Sequence, residues 1–230
     1  MRIKTFNLMR LIFISFLMFL FSLHSAYALY LDSRVFTLES EKSFYSRQFV
    51  NNTKNTNLYT INAWRIDRPG KNEIRKELQE GELMYTPLRK IMQSDGREFF
   101  KLFYSGPKDD QERYYRIVIH EIPVAFHSSG GVNKTPLVSP IVALETIMVV
   151  RPRELHFDYQ YNSQARILKN TGNTYFQVMI HRSCEARDDT AKVFYLLPGE
   201  SYHGSDLDGE HRKFIVGFNR YQQFGKQCLN

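Results

Sequence analysis

The 230-residue chain has only two cysteines, Cys184 and Cys228, and seven histidines with no His-Glu-x-x-His spacing, so neither a zinc site nor a metalloprotease is supported. No glycine-rich phosphate loop is present, which removes nucleotide chemistry. Gly199-Glu200-Ser201-Tyr202-His203 comes near a nucleophile elbow, but its fifth residue is histidine where glycine is needed. No alternating strand–helix pattern surrounds it, so it reads as a loop. Blocks of five like charges are absent too, and a nucleic-acid binder would need a concentrated basic stripe. The longest apolar run, Leu11 to Leu23, has 13 residues, short of the roughly 20 that span a bilayer. These absences argue against an enzyme, a bound metal, a cofactor and a nucleic-acid partner.

The N-terminus carries Arg2, Lys4 and Arg10, then the apolar run, then Ala26-Tyr27-Ala28. Charged, apolar and small residues in that order make a secretory signal peptide over residues 1–28, cleaved after Ala28. A single membrane anchor is the alternative, disfavoured by the short run and by the Ala-x-Ala site. The mature chain would hold 202 residues, enough for one large or two ordinary domains. Without the leader's three cations it has 28 basic and 24 acidic residues, a charge of +4. In an oxidising compartment Cys184 and Cys228 are expected to pair as a disulfide, with free thiols as the alternative.

Aromatic and β-branched runs recur at short intervals and almost nothing is helical. Expected strands include Arg34–Leu38, Phe44–Asn51, Leu58–Asp67, Met84–Met92, Arg97–Tyr104, Arg113–Glu121, Leu137–Arg151, Leu155–Gln160, Tyr175–Arg182 and Lys213–Asn219. Turn clusters such as Arg68-Pro69-Gly70, Ser105-Gly106-Pro107 and Ser128-Ser129-Gly130-Gly131 separate them. The pattern indicates an all-β chain of β-sandwiches. Val149-Val150-Arg151-Pro152-Arg153 marks a boundary, where the longest strand pattern meets a proline that cannot continue a ladder. Domains of 29–150 and 154–230 are expected.

Several fragments, in order, resemble the periplasmic chaperones of chaperone–usher pili. They are Ser33-Arg34-Val35-Phe36 with Ser40-Glu41-Lys42-Ser43, Phe49-Val50-Asn51-Asn52 before Ala63-Trp64, Glu112 ahead of Tyr115-Arg116, Glu121-Ile122-Pro123, and Ile147 to Arg151-Pro152. The resemblance covers essentially the whole mature chain. It implies two immunoglobulin-like β-sandwich domains in an L-shaped arrangement, a periplasmic location, and no cofactor or catalysis. It further implies a pilus-assembly chaperone that lends its seventh strand to pilin subunits and serves an outer-membrane usher. The lent strand would lie within Leu137–Ile147, with Val138, Pro140, Val142 and Leu144 on the donor face. A one-residue slip would substitute Leu137, Ile141 and Ala143. Arg34 would bind the subunit's C-terminal carboxylate through its planar fork. The family's second cleft cation, a lysine, is replaced by Ile147, which leaves Lys101 or Arg116 to reach the cleft, or Arg34 to act with backbone donors. This departure suggests a divergent, common-pilus-like branch. Glu112 and Arg151 match an interdomain pair whose usual aspartate partner is missing near Asn219, and a free chaperone could cap its own strand as a homodimer. A pilin or adhesin subunit and an extracytoplasmic carbohydrate-binding module are the competing readings. Against a subunit, Leu29-Tyr30-Leu31-Asp32-Ser33-Arg34 leads straight into the first strand with no donor extension.

Overall fold

The computed structural model describes residues 31, 34–124, 140–218, 220–226 and 228, so the leader, the Ser/Gly-rich segment at 128–133 and Val138 lie outside the described residues. The first half holds β1 (Val35–Leu38), β2 (Phe44–Val50), β3 (Asn57–Ile66), β4 (Arg75–Lys76), β5 (Leu83–Thr86), β6 (Arg89–Met92), β7 (Arg97–Tyr104), β8 (Arg113–Pro123) and β9 (Val142–Val150). The second half holds β10 (Tyr159–Asn162), β11 (Ile167–Asn170), β12 (Phe176–Ile180), β13 (Lys192–Leu196), β14 (Ser201–His203), β15 (Lys213–Gly217) and β16 (Arg220–Gln223). Among the described residues the only helices are two short 3-10 turns, and none is long and apolar enough to cross a membrane.

The first sandwich packs the sheet β1-β9-β8-β3-β4, with β6 also on β3, against the sheet β2-β7-β5. Period-two alternation sends Phe36, Leu38, Phe49, Tyr59, Ile61, Phe100, Leu102, Tyr115, Ile117, Ile119, Met148 and Val150 into its core. Each such side chain contributes roughly 1.5–3 kcal/mol on burial. Buried polar groups find partners within this sandwich, two of them at its β2–β3–β8 end. The Tyr59 hydroxyl donates to Glu121 at 2.9 Å, and Asn51 Nδ2 donates to the Asn55, Met92 and Gln93 carbonyls, closing the loop after β2. The second sandwich packs β10-β11-β14 against β13-β12-β15-β16 around Leu168, Phe176, Val178, Ile180, Leu196, Leu207, Ile215 and Phe224. Ile66, Tyr114 and Val149 of the first half join Tyr175 and Leu197 of the second in a smaller cluster between them.

Several sequence expectations change: among the described residues the strand expected over Leu137–Arg151 begins only at Val142, and β4 and β16 were not expected. The single strand expected over Met84–Met92 is two, because the chain leaves β7 for β3 around Pro87, which has no N–H to give a ladder. Ser201-Tyr202-His203 is strand β14, paired with β11, where a loop was expected. The strand expected from Leu155 begins only at Tyr159.

Cys184 and Cys228 form a disulfide across 44 positions, tying the end of the chain to the segment after β12. Closing a loop of that length restricts the unfolded chain by about 4 kcal/mol in the entropic treatment. Cys184→Ser with Cys228→Ser is therefore expected to lower stability by roughly 2–4 kcal/mol, read as a lower urea midpoint. A midpoint equal to that of the oxidised wild type would contradict this.

Candidate functional site

The two sides of strand β9 are covered unequally. One side pairs with β8 along its whole length, from Val142 opposite Glu121 to Val150 opposite Arg113. The other side is taken by β1 in parallel, but only from Ile147 to Val150. Among the described residues, Val142 to Glu145 therefore have a neighbouring strand on one side alone. The Ile147 N–H donates to the Arg34 carbonyl at 2.8 Å, so Ile147 faces the β1 side. By the two-residue repeat, the N–H and C=O of Ala143 and Glu145 point to the same, open edge. Open edges of this kind pair with other chains unless protected.

Side chains on the even positions face the first core. Met148 and Val150 are in it, Thr146 is buried, Leu144 packs against it half-buried, and Val142 is 41% exposed. Pro140 is exposed and precedes the ladder. Val142 and Leu144 thus share one face, while Ala143 and Glu145 take the other.

Arg34 is exposed and stands where β1 begins to close the β9 edge, its carbonyl accepting from both Ile147 N and Thr146 Oγ1. Beside it Ile147 lines a cavity of about 190 Å3 between the two sandwiches, together with Val35, Tyr114, Val149, Tyr175 and Leu197. The two candidates to replace a cleft lysine behave differently. Lys101 lies on β7 in the opposite sheet, between Ser46 and Thr86, so it does not reach the cleft. Arg116 lies directly across from Ile147 on β8, but it is clamped by Glu73, with Nε to Oε1 at 3.0 Å and Nη2 to Oε2, and is 3.7 Å from Glu145. Arg75 completes this cluster, bonding Glu145 at 2.9 Å and Glu73 at 2.9 Å and lying over the Trp64 ring. Burial pushes the Glu73 carboxyl upward, but hydrogen bonds and charge from Arg116 and Arg75 outweigh that and hold it below the usual carboxylate range. The cation that does line the cavity is Arg68, absent from the sequence expectations. It is 59% exposed in its side chain and 3.4 Å from Glu200.

Glu112 and Arg151 meet at the junction, Nη1 to Oε2 at 3.7 Å, both side chains buried. The sequence left them as a bare pair, but the structure adds several partners. Glu112 accepts from the Tyr114 hydroxyl and Thr174 Oγ1, each at 2.6 Å, and from the Tyr175 N–H at 3.0 Å. Arg151 donates to Thr174 Oγ1, lies 3.4 Å from Glu39, and stacks on Tyr175 and Phe218. Burial raises the Glu112 carboxyl above its ordinary value, against the pull of those donors and of Arg151. Thr174, Tyr175 and Phe218 belong to the second half and Glu39, Glu112 and Arg151 to the first, so this node spans both. Among the described residues no group of three or more His, Cys, Asp or Glu side chains could hold a metal.

Solved structures share this fold. The chain superposes on the class 5 fimbriae chaperone CfaA over 86% of its own length and 97% of that chain, with a TM-score of 0.58 at 15% identity. It superposes on a chain of the CsuC–CsuE chaperone–tip adhesion subunit pre-assembly complex of Acinetobacter baumannii pili over 90% of its length and 100% of that chain, with a TM-score of 0.54 at 13% identity. The fold is therefore that of the two-domain pilus chaperones. In sequence, the probable fimbrial chaperone EcpE of Escherichia coli (strain K12) is 34% identical over 205 residues, 87% of this chain and 86% of that protein. The probable fimbrial chaperone EcpB of Klebsiella pneumoniae (strain 342) is 28% identical over 192 residues, 81% of this chain and 85% of that protein. The model of the EcpB C-terminal domain matches residues 157–226. The chain belongs to the fimbrial chaperone family.

Proposed function

We propose that the protein is a periplasmic, non-enzymatic chaperone that binds and caps pilus subunits by lending β9, and hands them to an outer-membrane usher. The observation that carries this is the open edge of β9 ending at Arg34. A subunit lacking its last strand exposes an apolar groove; β9 fills it with main-chain hydrogen bonds from Ala143 and Glu145 and with the side chains of Val142 and Leu144. The donor face expected from the sequence also includes Pro140, exposed just before the strand, and Val138, which lies outside the described residues. Any partner strand on this edge runs in line with β1 and meets Arg34. The guanidinium favours a chain-terminal carboxylate there, so the partner strand runs parallel to β9, as β1 does. Domains of 29–150 and 154–230, held at their angle by Glu112 and Arg151, present the edge and the cleft together. Without a subunit, the same edge on a second copy is the natural cover, giving a self-capping homodimer.

Co-purification from periplasm with each pilin encoded beside the gene tests the anchoring. A hydrogen-bonded charge contributes about 1.5–3 kcal/mol, so Arg34→Ala is expected to weaken the one-to-one complex by roughly tenfold or more. A complex of wild-type strength with Arg34→Ala would remove Arg34 from the site.

A further inference from the structure

The cavity beside Ile147 has a chemistry that a carboxylate anchor does not require. Its walls are Val35, Ile147 and Val149 from the first half and Tyr175 and Leu197 from the second, with Tyr114 between. The tyrosine hydroxyls are already engaged, Tyr114 donating to Glu112 at 2.6 Å and Tyr175 lying 3.3 Å from Thr37 Oγ1, so the rings offer the cavity their carbon faces. At about 190 Å3 it exceeds the roughly 150 Å3 that is enough for an apolar cavity to take up benzene. The charged residues of its lining are Arg68 and its partner Glu200.

The cavity also has a defined position along the strand. Val35 and Ile147 are paired residues of β1 and β9, at the point where β1 closes the open edge. A strand laid on that edge ends against Arg34, and its last residues arrive at the cavity mouth. Ile147 and Val149 present the face of β9 that looks away from the first core, so a side chain on the matching face of the incoming strand points inward.

We propose that this cavity is a specificity pocket for one large apolar side chain, aromatic by preference, at the C-terminal end of the bound subunit. Arg34 and Arg68 then take the carboxylate at the rim. The inference rests on the strand-lending function above and adds to it which chain ends are accepted. Where a basic residue at position 147 would select charge alone, Ile147 makes the pocket discriminate by side-chain size.

The test uses the full mature chain with 13C-labelled methyl groups and three probes, N-acetyl-phenylalanine, N-acetyl-glycine and N-acetyl-phenylalaninamide. The phenylalanine probe is expected to shift the Val35, Ile147, Val149 and Leu197 methyl signals saturably. The glycine probe should bind roughly tenfold more weakly or worse, the discrimination a hydrophobic pocket gives for one apolar group. The amide should fall between them, having the ring without the charge. Ile147→Trp, which fills the cavity, should abolish the shifts; Ile147→Lys, a milder change at this half-buried position, should bring the phenylalanine and glycine probes to equal affinity. Equal affinities in the wild-type chain, or no saturable shift at these methyls, would overturn the proposal. Because no subunit takes part, that failure is separate from a failure of strand lending, which appears as loss of subunit co-purification while the probe still binds.

Discussion

Val142→Glu is expected to abolish subunit capture while leaving the chaperone folded. Val142 is 41% exposed at the start of β9, with a strand on one side only among the described residues, so a carboxylate there stays in water in the free protein. Surface changes of that kind usually alter stability by about 0.5 kcal/mol or less. If β9 is lent as proposed, the same position enters an apolar groove in the complex, where the charge loses its hydration and the valine's burial, roughly 1.5–3 kcal/mol, is lost as well. The combined effect is at least about 3 kcal/mol, or more than about 100-fold in affinity. Leu144 faces the same way but already packs against the first core, so its substitution mixes folding with binding. Ala143→Glu is the control for register, because its side chain lies on the opposite face. Binding measured by titration calorimetry should fall for Val142→Glu far more than for Ala143→Glu; the reverse order would shift the register by one residue.

Arg151→Met carries the largest expected cost in folding. The guanidinium is the charge that compensates Glu112, whose side chain is 1% exposed. Removing one partner of a buried pair typically costs about 3–5 kcal/mol, because the remaining charge stays buried without compensation. The pH dependence has a definite sign. Burial raises the folded-state pKa of Glu112 above its unfolded value, so ionisation favours the unfolded chain. That penalty is absent below the unfolded pKa and grows as pH rises through the folded one. Loss of Arg151 raises the folded pKa further, and the deficit of the variant should be larger at pH 7 than at pH 4.5. Urea unfolding of both proteins at the two pH values measures it; an equal deficit at each would mean that Glu112 is not the group left uncompensated.

Much of this architecture was readable from residue types alone. Aromatic and β-branched runs with period-two alternation, such as Arg97–Tyr104 and Arg113–Glu121, can do little but form half-buried strands, and Pro152 after Val149-Val150-Arg151 can only interrupt one. The cysteine pair was legible because two thiols in a chain whose N-terminus reads as a secretory signal have few alternatives. Partnerships at long range were not. Nothing near Arg116 announces that Glu73, 43 residues earlier, clamps it, since the two meet only once β3, β4 and β8 have been laid side by side. Lys101 was plausible in the cleft until β7 was placed in the other sheet. Arg68 looked like part of a Pro-Gly turn, and the turn's approach to Glu200 depends on how the two sandwiches meet. Glu112 was recognisable as a partner of Arg151, but its hydrogen bonds from Thr174 and Tyr175 required the second half to be in place.

Amide exchange at Ala143 and Glu145, followed residue by residue in the free protein and in a one-to-one complex with a pilin, tests strand lending most directly. Their N–H groups point to the open edge, whereas that of Leu144 points to β8. In the free protein, kept dilute enough to be monomeric so that no second copy covers the edge, Ala143 and Glu145 should exchange quickly. On complex formation they should slow by about 100-fold or more, as amides in a formed ladder do, with Leu144 changing far less. A stable complex in which Ala143 and Glu145 exchange as fast as before would show that the subunit is held elsewhere, and that β9 is not the strand it receives.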